Sequence, residues 1–160
     1  MALPIWRKIV SELPVPEPQK QWQLAVQVLT AGKLMMVEVV IDPARQPPEN
    51  GTWTPEGFAR ACSADGDFEG TARGATPLAG TPLVSSAPLG ALIARIGGST
   101  ADQTVDTSPT PSRVVFSIGR RCIFSVTNSP IGSLFLGVND DPSRMASVTG
   151  RLLVNIYKAI

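Results

Sequence analysis

Asn139, Asp140 and Asp141 place three hard-oxygen side chains side by side just before Pro142, where the chain turns. Clustered carboxylate and amide oxygens are the donors that calcium takes. The same residue types also close ordinary turns, because Asn and Asp side chains hydrogen-bond the backbone that follows and tolerate unusual dihedrals. On the residues alone both readings stand. The flanking segments 133–138 (SLFLGV) and 151–156 (RLLVNI) are short, densely apolar and bounded by Gly, Asn, Asp and Pro. That is the pattern of sandwich-core strands, and a pair of them would hold the loop between them rigidly, as a ligand site needs.

Other chemistries are poorly served. The chain contains no histidine, which removes the commonest general base and transition-metal ligand and excludes Ser-His and Cys-His catalysis. It has no phosphate-binding glycine loop, no dinucleotide fingerprint and no Cys-x-x-Cys pair. Hydrolysis by paired carboxylates would have to draw on Asp65, Asp67, Asp140 and Asp141, without neighbours of a kind that drives two such pKa values apart. A binding or structural role is therefore expected, and no enzymatic activity.

The 160 residues suffice for one domain with a real core, so folding should not depend on a ligand. The 14 basic and 13 acidic residues nearly cancel and are spread along the chain, which leaves no basic face for nucleic acid and no polybasic run for anionic lipid. No apolar run reaches the length of a membrane span, and the opening MALPIWRKIVSELPVP sets charge and proline where a signal peptide needs its apolar segment. A cytoplasmic protein is expected, with later release from the cell left open. Cys62 and Cys122, far apart in sequence, are expected to be reduced thiols.

Fifteen prolines and fourteen glycines cut the chain into pieces too short for long helices, which favours an all-β domain. Residues 1–20 read as a proline-rich N-terminal arm. The alternate prolines of LPVPEP predict an extended segment lying over the domain or over a neighbour, preceded by a short helical turn at 4–11. Residues 21–160 form the domain proper. Within it, WQLAVQVLTAGKLMMVEVVI (22–41) reads as a hairpin turning at Gly32-Lys33, and Gly51-Thr52-Trp53 as a short strand. The Gly-, Pro- and Ala-rich stretch 54–88 reads as a long loop. In residues 88–98, Leu89, Leu92, Ile93 and Ile96 have helical spacing, which the β context overrides. Segments 113–119 and 122–126 read as strands, with Arg120-Arg121 a solvated hairpin end. Trp22 and Trp53 fit core anchors better than sugar platforms.

Taken in order, LGALIARIGG (89–98), FSIG (116–119), GSLFLGVND (132–140) and TGRLLVNI (149–156) resemble the landmarks of the PA-IL-like galactophilic lectin family. Gly51-Thr52-Trp53 and Asp65-Gly66-Asp67 are similar to that family's earlier Gly-x-Trp strand and acidic-glycine loop. The resemblance covers about residues 22–156, most densely after Leu89. It implies a jelly-roll-like sandwich of two antiparallel sheets, with 89–96 as a buried strand.

The resemblance also implies a site in which calcium and the hydroxyls of a galactose-type sugar share one loop. Asp140 falls on the family's metal-binding aspartate, and Glu56 falls near a backbone-carbonyl ligand where it would add a carboxylate. Two consecutive asparagines of the family are here Ser147 and Val148; valine cannot ligate, and a hydroxyl is a weaker donor than an amide carbonyl. Arg144 stands where the family supplies a backbone carbonyl, and its guanidinium opposes a cation. The family's sugar-contacting histidine has no counterpart. Calcium binding is thus expected to be weak or absent. A calcium-independent contact would use Asn139, Asp140 and Asp141 as acceptors, Arg144 and Ser147 as polar partners and Trp53 as an aromatic face. Two functions follow as expectations: a non-enzymatic carbohydrate-binding module, or a homo-oligomeric or protein-binding assembly subunit that keeps the sandwich without the sugar site.

Overall fold

The structure, a computed structural model, describes residues 3–16, 22–45, 51–67, 69–70, 72, 82–97, 113–126, 132–140 and 148–160. Among them are β1 (Trp6–Val15), β2 (Gln23–Val26), β3 (Leu34–Val39), β4 (Thr52–Pro55), β5 (Cys62–Ser63), β6 (Leu92–Gly97), β7 (Arg113–Ser117), β8 (Arg121–Ser125), β9 (Leu134–Val138), β10 (Val148–Thr149) and β11 (Leu152–Ala159), with no helix. The all-β expectation holds. The strands form two four-stranded sheets, ordered β1-β11-β3-β8 and β2-β9-β6-β7. A third, smaller sheet, β10-β4-β5, adds to the two that were expected. Every pairing is antiparallel.

Strand periodicity explains the core. On β3 and β11 alternate residues Met35, Val37 and Val39 and Leu152, Val154 and Ile156 are buried in one hydrophobic cluster with Leu92, Ala94, Leu134, Leu136 and Val138 of the other large sheet. At one side of the sandwich Phe116 of β7 meets Phe124 of β8 edge to face, with ring centroids 5.1 Å apart. Strands β6 and β9 are buried along their whole length, so the helical spacing of 89–96 comes from a strand covered on both faces. On β6 the buried Arg95 guanidinium lies between the rings of Trp22 and Phe135, 5.1 and 4.3 Å from their centroids. Its charge is thereby set against two aromatic faces, the geometry of cation–π attraction.

Three expectations are corrected. Residues 4–11 are not a helical turn, and residues 6–15 are not a separate arm: β1 pairs with β11 from Trp6↔Ala159 to Val15↔Leu152 and buries Val15 completely. Pro14 is tolerated because β1 is an edge strand, where one set of backbone donors has no ladder partner to lose. Residues 22–41 do not make a hairpin either. The strands exist, but β2 pairs with β9 and β3 with β11 and β8, so the turn at Gly32 carries the chain from one sheet to the other. Likewise β9 and β11 lie in different sheets, and β7 and β8 as well. A turn residue marks a reversal; which strands then pair is decided by burial across the whole sandwich. No helix among the described residues is long and apolar enough to cross a membrane.

Candidate functional site

The loop expected to carry the site leaves the end of β9 and returns through β10. Its first residue, Asn139, is fully buried, and its hydrogen bonds are all local to the fold. Its N–H donates to the Ala91 carbonyl at 2.7 Å, and its own carbonyl accepts from the Gly90 N–H at 2.8 Å. The side-chain Oδ1 accepts from the Val84 N–H at 2.9 Å. Nδ2 donates toward the carbonyls of Val84, Ala87 and Pro88 at 3.0, 3.1 and 3.0 Å. Buried and bonded in this way, the amide is closed to a sugar. Asn139 is a strut that holds segment 84–91 against the end of β9.

Trp53 belongs to the same framework. It is 1% exposed, and its Nε1–H donates to the Gly90 carbonyl at 2.7 Å. Its ring offers no open face, which corrects its expected part in ligand contact and agrees with its reading as a core anchor. Gly90, joined to both Trp53 and Asn139, has φ +83°, and a Cβ there would lie 2.8 Å from Cys62 Sγ and 3.2 Å from the Phe58 ring. Only glycine meets both conditions without strain.

Asp140 is fully buried, so its carboxylate is not on the open surface. Asp141, Arg144 and Ser147 lie outside the described residues. Beyond them the chain is fixed again: Val148 and Thr149 of β10 pair with Pro55 and Thr54 of β4, and Val148 packs partly buried against the core. Glu56 follows Pro55 in an exposed turn at this end. The described residues on either side are thus fixed in the fold, Asn139-Asp140 by burial and Val148-Thr149 by the β4–β10 pairing next to Glu56.

Among the described residues the expected donors are not assembled for calcium. Asn139 has spent its amide on the fold, Val148 supplies packing in place of an oxygen, and no group of three or more Cys, Asp or Glu among the described residues is placed to hold a metal. The other acidic candidates serve structure. Asp65 accepts from the Arg120 N–H at 2.8 Å and pairs with its guanidinium at 2.5 Å. Asp67, 4% exposed, accepts the Ala72 N–H at 3.0 Å beside a shallow depression of about 240 Å³ that Ser63 and Glu69 also line. Arg120 and Arg121 mark a solvated turn with ion-pair partners, Asp65 and Glu38.

Both cysteines are free thiols. Burial, with the negative Asp67 adding to it, pushes the Cys62 thiol from 9.0 up to about 12. The folded state thus favours the protonated form; that contribution to stability is present below about pH 9 and is lost as pH rises toward about 12. Burial raises the Cys122 thiol too. Because the thiolate is the nucleophile, Cys62 should resist Ellman's reagent for hours near neutral pH and react at once in denaturant, with the labelled site assigned by mass spectrometry. Labelling of Cys62 within minutes in the native protein would contradict this account.

The sequence reading missed Asn139 as a strut and Gly90 as the acceptor that orients Trp53. The available signal was weak: an Asn ending an apolar strand looks the same whether its amide faces a ligand or the segment before β6. Comparison of the chain with protein-family models, with curated proteins and with solved structures finds no match.

Proposed function

We propose that the protein is a non-enzymatic, lectin-like carbohydrate-binding module that takes galactose-type hydroxyls at loop 141–147 without calcium. The observation that carries this reading is that the residues flanking 141–147 are fixed, Asn139 and Asp140 by burial and Val148-Thr149 by pairing with β4. An anchored loop loses less entropy on gripping a ligand than a free one, which suits weak polar recognition of a sugar. Asp141 and Glu56 supply acceptors for hydroxyl protons, Arg144 donates, and the Ser147 hydroxyl does either. The ordered PA-IL-like motifs support the same reading, and the donors among the described residues argue against a metal in the site.

A glycan array followed by calorimetry tests it. The wild type should bind a galactose-type sugar with the same affinity in millimolar calcium and in chelator. The double substitution Asp141→Ala, Arg144→Ala should lower that affinity at least tenfold while leaving the melting temperature unchanged. Calcium alone should not move the melting temperature, because a ligand stabilises only above its dissociation constant. An array without a hit, or an affinity that vanishes in chelator, would sink the reading. The alternative, an assembly subunit without a sugar site, draws on exposed apolar residues at one corner of the sandwich. There Leu3, Ile5 and Ile160 are 88, 70 and 71% exposed, and the Ile160 N–H bonds the Ile5 carbonyl.

A further inference from the structure

We propose that two copies of this chain join through β8, edge to edge and antiparallel, so that the sheet β1-β11-β3-β8 continues into its copy. On its inner side β8 pairs with β3 in unbroken register, Leu34↔Ser125 to Glu38↔Arg121. The bonds Val39 N–H to Arg120 carbonyl and Val126 N–H to Lys33 carbonyl fix the phase of this ladder. Even-numbered residues of β8 face β3, and Arg121, Ile123 and Ser125 turn their N–H and C=O groups outward. No strand among the described residues covers that edge.

Proteins usually blunt such an edge, because a row of open donors and acceptors is a template for another strand. The other edge of this sheet, β1, is blunted by two register shifts and by Glu12 at φ 51°. In the second large sheet β2 carries a register shift as well, while β7 is regular but bears no exposed large apolar side chain. Strand β8 has neither device. It is regular, and Ile123 stands 49% exposed on its outer face, with Leu34 37% exposed on the adjoining strand.

The pattern of β8 is complementary to itself. A two-fold axis at Ile123 sets Ile123 against its own copy and Arg121 against Ser125 of the other chain, so that no like charges face each other. Arg121 keeps its ion pair with Glu38 at 3.6 Å. The three outward residues of each copy then exchange about six backbone hydrogen bonds. On the outer face, the cross-strand row Lys8–Tyr157–Met36–Ile123 runs on into its copy and covers both Ile123 side chains. This inference is independent of the sugar site: a chain that stays monomeric leaves the carbohydrate reading intact.

The test is sedimentation velocity of the full chain from micromolar to about 100 μM. The wild type should be a dimer at the upper end, and Ile123→Lys, which sets two ammonium groups against each other at the axis, should weaken association at least tenfold with an unchanged β spectrum and, at concentrations where both chains are monomers, an unchanged melting temperature. Ile5→Lys, at the distant apolar corner, should not alter it. In a Cys122→Ala background, Ile123→Cys should form an oxidised dimer whose cross-linked peptides both contain position 123, since the paired Cα atoms lie about 5.5 Å apart, within disulfide reach. A wild type that stays monomeric throughout, a dimer that survives Ile123→Lys, or one that dissolves with Ile5→Lys would each overturn the proposal.

Discussion

Asn139→Ala should destabilise the fold by about 3 kcal/mol or more, since each buried group left without its partner costs about 1–3 kcal/mol. The substitution strands the Val84 N–H and removes the donor shared by three carbonyls. Urea denaturation of the purified variant reads the loss directly. Asn139→Asp is the sharper probe, because it keeps the shape and replaces the donor with a carboxylate facing those carbonyls. The folded state would raise that carboxyl's pKa, so its proton is held more tightly in the native than in the unfolded chain. The destabilisation should therefore be smallest near pH 4 and deepen as pH rises toward 7. A loss below about 1 kcal/mol for the alanine variant would show that segment 84–91 relaxes onto other partners.

Trp53→Ala should cost about 3–5 kcal/mol, the range for emptying a buried large aromatic position. Trp53→Phe should cost about 1–2 kcal/mol, chiefly through the Gly90 carbonyl that loses its donor. Sugar affinity is the discriminating readout. A buried anchor predicts that Trp53→Phe binds as the wild type does, whereas a stacking platform predicts a binding defect without a stability defect. Thermal melts and calorimetry on this one variant separate the two, and an unchanged melt for Trp53→Ala would refute the burial argument.

Fold class was legible because proline and glycine spacing limits element length wherever the elements end up. Pairing was not. Residues 22–41 carry a good local hairpin signal, yet β2 and β3 part into different sheets, since local sequence sets where the chain turns and the shared core sets what it turns toward. Residues 6–15 were misread for a related reason: Pro14 and Pro16 signal an extended segment, and an edge strand is one of the few ladder positions that accepts proline. At the site, the resemblance drew attention to Asp140, while Asn139 holds the loop's base. No spacing rule separates adjacent oxygen-bearing side chains when one of them faces a backbone segment about fifty residues away, as Asn139 faces Val84.

The pairing of β1 with β11 also has a consequence for biosynthesis. Trp6 meets Ala159 in the finished sheet, so the earliest described strand to leave the ribosome is matched with the latest. At roughly 5–20 residues per second, β1 remains without its neighbour for on the order of ten seconds. During that interval its apolar side chains, Ile9 and Val10 among them, are open to other nascent chains and to chaperones. A ribosome stalled before β11 would hold β3 and β1 apart with nothing to bridge them. Slower translation anywhere between β1 and β11 should therefore lengthen that interval and lower soluble yield.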